Sequence, residues 1–331
     1  MVGRLWQART ADGDYGSTIT TTELPMTTRT RTIAPDVEMP LLGFGTYLIP
    51  DSEARAAVET AIAAGYRHVD TAEFYQNEEG VGAGLRAAMA THGLQRSDLF
   101  VTTKLFPGNA AWGQTPKTTA TTIASLDTSL QKLGLDAVDL YLIHAPFQKD
   151  ERLAQWRGLV ELQQQGKARA IGVSNFNVGH IEELVAAGLP LPAANQIELH
   201  PWSQKPTLVR FLDDKGITPI AYSSLVPLST WRTAPGHASG KTDEMRKDSA
   251  RDDAPFKLLA AKYGVSEARL LLRWAVQQRW PVLPKSTKRE RIVDNADLFS
   301  FVVDEGDMAA IARMDRGDGV AWGANDPTRA S

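Results

Sequence analysis

The 331-residue chain carries 36 basic and 39 acidic side chains for a net charge of −3, and it is 43% hydrophobic and 23% charged. That balance is globular, with ample material for a core, and it lacks the basic footprint of a nucleic-acid binder. With no cysteine, disulfides, thiolate catalysis and zinc–thiolate sites are excluded.

No apolar run reaches the roughly 18 residues of a membrane span, so a cytoplasmic protein without membrane contact is expected. Residues 1–31 are rich in Thr, Gly and charge and have no hydrophobic stretch. They read as a flexible extension and not as a signal peptide; Met26 is an alternative start. Residues 32–331 show no linker or break in composition and read as one domain.

In chain order, Val37 to Pro40 and Leu41-Leu42-Gly43-Phe44-Gly45 read as a short β-hairpin leading into a buried strand. Strand-like apolar runs follow at 67–69, 99–103, 138–143, 169–173, 193–197, 217–221 and 281–283. Amphipathic segments separate them, the clearest carrying Ile123, Leu126, Leu130 and Leu133 at helical spacing. Another starts at Ser266, an expected N-cap, and carries Leu270, Leu271, Trp274 and Ala275. Gly65, Gly134, Gly166 and Gly216 stand where helices would end in left-handed caps. Eight strand–helix units in series predict an α/β fold, a closed (β/α)8 TIM barrel. The connection at 223–253 is long for such a fold, and loops of that length usually act as lids or binding loops.

A barrel builds its active site where the strands end. Three consecutive strand-like runs end in an ionisable side chain: Asp70, Lys104 and His144. Tyr75 follows Asp70 closely enough to swing a phenol over the cluster. A neighbouring ammonium lowers a phenol's pKa, and a carboxylate holds that ammonium in place. With an imidazole to orient the substrate oxygen, the set makes a proton relay for a carbonyl–alcohol couple. The hydride must come from a cofactor, since no side chain supplies one.

Other patterns are weaker. Gly80-Val-Gly82-Ala-Gly84 hints at a dinucleotide fingerprint but lies in a helical pattern, so close helix packing is expected. With no His-Glu-x-x-His pattern, no metal is expected.

These residues and their order resemble the aldo-keto reductases, nearest to the subgroup of 2,5-diketogluconate reductases and similar carbonyl reductases. The resemblance rests on Met39-Pro-Leu-Leu-Gly-Phe-Gly-Thr-Tyr47, Gly65-Tyr-Arg-His-Val-Asp-Thr-Ala72 with Tyr75 and Asn77-Glu78, Val101-Thr-Thr-Lys104 and Leu140-Tyr-Leu-Ile-His144. It continues through Gly172-Val-Ser-Asn-Phe176, Asn195-Gln-Ile-Glu-Leu-His-Pro201, Ala221-Tyr-Ser-Ser-Leu225 and Pro284-Lys-Ser-Thr-Lys-Arg-Glu-Arg-Ile292.

The resemblance implies an NADPH/NADP+-dependent oxidoreductase acting reversibly on a small carbonyl or alcohol. Tyr75 would be the acid/base, Lys104 and Asp70 its tuning pair, and His144 the donor that orients the substrate. Ser174, Asn175 and Gln196 would hold the nicotinamide carboxamide, Tyr222 would stack on its ring, and Gly45, Thr46 and Tyr47 would lie beside it. Ser223 and Leu225 match the pyrophosphate loop; Lys285, Ser286, Thr287 and Arg291 match the 2′-phosphate site, and Asp294 and Asn295 lie near the adenine. Basic and hydroxyl side chains ahead of a helix suit a phosphate on physical grounds too. Tyr47, Phe106, Trp112, Phe147 and Trp322 are candidates for the substrate wall, and Ala145 replaces a Trp common in relatives, which widens it. A monomer, or at most a weak dimer, is expected.

Overall fold

A computed structural model describes residues 29–147, 149–228, 247, 251–317, 320–321 and 326–329. The expectations for residues 1–28, for most of the 223–253 connection and for Trp322 lie outside the described residues.

Strands β1 (Thr30–Ala34) and β2 (Val37–Pro40) form the expected antiparallel hairpin. Its order begins before residue 32, where composition drew the edge of the extension. Thr30 and Arg31 pair with Pro40 and Met39, and Arg31 also donates to the Arg279 carbonyl at 3.0 Å. Strand pairing with a later segment orders these residues, and local composition carries no trace of that partner. Ile33, Val37 and Met39 pack onto Phe100, Leu140, Leu142, Ala170, Ala194 and Ile220, so the hairpin plugs the end of the barrel where the strands start.

The strands are β3 (Phe44–Gly45), β4 (His68–Asp70), β5 (Phe100–Leu105), β6 (Val138–Ile143), β7 (Ala168–Ser174), β8 (Ala194–Glu198) and β9 (Thr218–Tyr222). They pair in parallel in sequence order. Val282 bridges Leu42 on one side and Ala221 on the other, which closes the sheet into a barrel. The eighth strand expected at 281–283 is reduced to this bridge. Pro281 and Pro284 flank it and have no N–H to extend the ladder.

Between the strands run α1 (Asp51–Ala63), α2 (Glu78–His92), α3 (Thr119–Leu133), α4 (Lys149–Gln164), α5 (Val178–Ala186) and α6 (Pro206–Asp214). Then come α7 (Pro255–Tyr263), α8 (Glu267–Gln277), α9 (Arg289–Ala296) and α10 (Glu305–Ala312). α3 buries Leu126, Leu130 and Leu133 as its spacing requires. The Ser266 side chain caps α8 by accepting from the Arg269 N–H. The glycine triplet in α2 is a packing device: a Cβ at Gly82 would stand 2.3 Å from the Leu133 carbonyl oxygen. No helix among the described residues is long and apolar enough to cross a membrane.

The barrel interior makes one stability prediction. His68 is fully buried beside Phe100, with Nε2 3.0 Å from the Thr102 hydroxyl. Burial, then the charge of Lys104, drives its imidazole from 6.5 down to about 3. The unfolded chain therefore takes up a proton below about pH 6.5 that the folded chain refuses. Stability falls as pH drops through 6.5 towards 3, by about 2 kcal/mol at pH 5 for this group. Urea unfolding at pH 7.5 and pH 5 should show a smaller acid loss in His68→Gln; identical losses would mean that His68 does not contribute.

Candidate active site

Parallel strands bring their last residues to one rim. Asp70 ends β4, Lys104 is the penultimate residue of β5, and His144 directly follows β6. A single 3-10 turn, Glu73–Tyr75, carries the phenol back over them. The Lys104 ammonium is fully buried and donates to Asp70 Oδ1 at 2.5 Å, to the Thr71 carbonyl at 2.8 Å and to the Tyr75 hydroxyl at 3.3 Å. The Tyr75 and His144 rings stand edge to face, 5.4 Å apart, and Tyr47 lies 5.1 Å from Tyr75. The three residues singled out at the strand ends and Tyr75 thus meet in one cluster.

The cluster is held from behind. Thr46 donates from N and Oγ1 to the Asp70 carbonyl, both at 3.0 Å. Asn77 donates to the carbonyls of Thr46 and Ile49, both at 2.9 Å, and accepts from the Thr71 hydroxyl at 3.0 Å. Asn77 ties the segments after β3 and β4 together, a role its place beside Glu78 in the sequence did not reveal.

Charge in this setting is governed by burial. Burial pushes the Asp70 carboxyl up and the Lys104 ammonium down from their ordinary values, and each shift is opposed by the other's charge. His144 is held well below the usual imidazole range by burial and then by Lys104, so it is neutral at physiological pH. Its Nδ1 is buried without a hydrogen-bond partner among the described residues. Tyr75 departs from expectation. The ammonium was expected to lower its pKa, but burial, then Asp70 and the phenols of Tyr47 and Tyr222, raise it well above the ordinary value. The ground-state site therefore holds a protonated phenol and not a phenolate.

A second group of expected residues joins the first directly. Gln196 Nε2 donates to Asp70 Oδ2 at 2.8 Å. Asn175, in the left-handed region at φ 63°, donates to the His144 carbonyl and to Ser174 Oγ, both at 3.0 Å. The Tyr222 hydroxyl donates to Asn175 Oδ1 at 2.6 Å. Ser223 (φ 56°) and Leu225 begin the next connection.

The basic segment reaches the same rim through the barrel seam, where the Gly45 N–H donates to the Pro284 carbonyl at 3.0 Å. Lys285, Thr287 and Arg291 are exposed there, and Ser286 is buried, its hydroxyl accepting from the Lys288 N–H at 3.0 Å. They surround the start of α9, which has no side-chain cap. Of the two positions expected near an adenine, Asn295 is buried and Asp294 accepts from the Ser266 hydroxyl at 2.5 Å. Asp294 is thus engaged with the next helix, a contact invisible in the local sequence.

Among the expected wall residues, Phe106, Trp112 and Phe147 form one contiguous aromatic row, and Phe74, not singled out from the sequence, joins it. At the end of β8 on the same rim, Glu198 Oε1 accepts from His200 Nε2 and from the Ala321 N–H, both at 2.8 Å, which fixes the chain just before Trp322.

Comparison with known proteins agrees with this geometry. The model of the Aldo/keto reductase family matches residues 41–316. Glyoxal reductase of Bacillus subtilis is 36% identical over 86% of this chain and 92% of its own length. Morphine 6-dehydrogenase of Pseudomonas putida is 38% identical over 85% of this chain and 89% of its own. The crystal structure of the Bombyx mori aldo-keto reductase AKR2E4 in complex with NADP superposes with a TM-score of 0.76, at 35% identity over 88% of this chain and 94% of that one. With a closed barrel, the four-residue rim cluster and a family match over most of its length, the chain belongs to the aldo/keto reductase family.

Proposed function

We propose that this protein reduces aldehydes and ketones with NADPH, running as an alcohol dehydrogenase in the reverse direction, with Tyr75 as its proton donor. The observation that carries the reading is the buried Lys104 ammonium, shared between Asp70 and the Tyr75 hydroxyl at the barrel mouth. Residues 32–331 act as one catalytic domain in this reading, and the protein works as a cytoplasmic monomer, which chromatography and cell fractionation check.

The residues present fit a nicotinamide dinucleotide phosphate. Exposed Lys285 and Arg291 with Thr287 beside an uncapped helix start offer cations and N–H groups to a phosphate. Ser174, Asn175 and Gln196 present amide and hydroxyl groups suited to a carboxamide, and Tyr222 a ring suited to stacking. Ser223 and Leu225 would meet the pyrophosphate, and Gly45, Thr46 and Tyr47 would flank the nicotinamide. Asn295 remains assigned to the adenine end, with Asp294 acting there through its Ser266 contact. When bound, the cofactor supplies the hydride that no side chain can provide.

The side chains do the rest. Neutral His144 offers an N–H to the substrate oxygen without adding a second positive charge to the site. As the carbonyl carbon is reduced, its oxygen becomes an alkoxide, far more basic than any phenolate. Proton transfer from Tyr75 is then downhill despite the raised phenol pKa. The phenolate left behind sits 3.3 Å from the Lys104 ammonium, which stabilises it until solvent restores the proton.

NADPH consumption with a panel of aldehydes tests the function. No oxidation of NADPH with any carbonyl would point to a barrel that binds without turning over. For the cofactor, Arg291→Ala should weaken NADPH binding by about 1.5–3 kcal/mol and leave NADH nearly unchanged, because only NADPH carries the extra phosphate. Equal losses for both cofactors in a fluorescence titration would free Arg291 of that role.

A further inference from the structure

Phe74 directly precedes Tyr75 and is 45% exposed. Its ring stacks on Phe106 at 4.7 Å with 19° between the planes. Phe106 lies nearly parallel to Trp112, at 13° and 6.4 Å, and Trp112 meets Phe147 edge to face at 5.4 Å. At its inner end the row touches the chemistry, since the Phe74 ring stands edge to face with His144 at 6.3 Å. At its outer end Trp112 is 58% exposed. A continuous aromatic surface therefore runs from the reacting groups outward along one wall.

The wall is built in advance. Glu73 Oε1 accepts from Lys117 Nζ at 2.6 Å, and Oε2 accepts from the Phe106 N–H at 3.1 Å. This binds both ends of the 106–117 loop to the turn that carries Phe74 and Tyr75. Gln155 donates to the carbonyls of Pro107 and Lys117 from below, at 3.1 and 3.2 Å. Within the loop, Asn109 caps the turn at Ala110–Trp112, and Gly108 takes φ 79° where a Cβ would fall 2.3 Å from the Thr115 carbonyl oxygen. So many fixed points on an exposed loop orient Trp112 without covering it.

Rings stacked in a row turn their electropositive edges to the open side, and a flat aromatic system laid along it meets those edges with its face and displaces the water there. A ringless dicarbonyl has nothing to place there. We propose that the Phe74–Phe106–Trp112 row makes this enzyme selective for planar carbonyl compounds of two or more fused rings, their carbonyl at the edge nearest Tyr75 and His144. The inference rests on the reductase reading above and adds its substrate class.

Initial rates of the full-length protein with saturating NADPH on naphthaldehyde, benzaldehyde and methylglyoxal test it. Efficiency, as kcat/KM, should fall in that order, with the two-ring aldehyde at least about tenfold ahead of the dicarbonyl. Trp112→Ala and Phe74→Ala should each shrink that ratio about tenfold, mainly through KM for naphthaldehyde, and Trp112→Phe should restore most of it. Both side chains are exposed, so their truncation leaves the core intact, and an unchanged melting temperature checks this. Similar efficiencies on all three substrates, or equal losses with and without rings, overturn the proposal and leave the reductase reading standing. No NADPH oxidation with any of them overturns both.

Discussion

Tyr75→Phe is expected to lower carbonyl reduction by about 10²-fold or more while NADPH binds as before. The variant keeps the ring and its contacts with Tyr47 and His144 and loses only the hydroxyl that Lys104 approaches at 3.3 Å. A proton for the alkoxide would then have to come from water in a buried site. The effect should appear in kcat as well as kcat/KM, since the lost interaction belongs to the transition state. Near-normal reduction by the variant would remove Tyr75 from the mechanism, whatever its geometry.

Lys104→Met should be costly in two separable ways. Asp70 would lose its buried cation and keep only the Gln196 donor at 2.8 Å. Removing one partner of a buried pair typically destabilises by about 3–5 kcal/mol. Turnover should also fall by about 10²-fold or more, because the phenolate formed at Tyr75 would have no ammonium beside it. Asp70→Asn in the same chain removes the stranded carboxylate and should recover much of the stability without recovering the rate. Urea unfolding and steady-state rates on the two single variants and the double variant check this. Recovery of rate together with stability would make the Lys104–Asp70 pair a structural element only.

The cluster was legible because barrel topology turns sequence order into spatial order. Asp70, Lys104 and His144 each follow or end a buried run, and parallel pairing of β4, β5 and β6 sets them side by side. Long-range contacts were harder to read. The eighth strand shrank to Val282 because prolines flank it, and Thr30 and Arg31 were ordered by a hairpin partner. Asp294 turned towards Ser266 on the neighbouring helix, a pairing that no local motif announces. The sign of the Tyr75 shift was misjudged because the sequence shows which charges are near, but not that burial outweighs them. Phe74 was missed for a related reason: an aromatic beside Tyr75 means little until the 106–117 loop folds back and stacks Phe106 on it.

The most direct measurement of the central claim follows where the hydrogens go. The protein is incubated in heavy water with NADPH of natural isotopic composition and an aromatic aldehyde, and the alcohol is examined by mass spectrometry and proton NMR. The account predicts one alcohol per NADPH consumed, with no deuterium on the former carbonyl carbon and the exchangeable hydrogen drawn from solvent by way of Tyr75. Deuterium on that carbon, or NADPH consumed without alcohol formed, would contradict it.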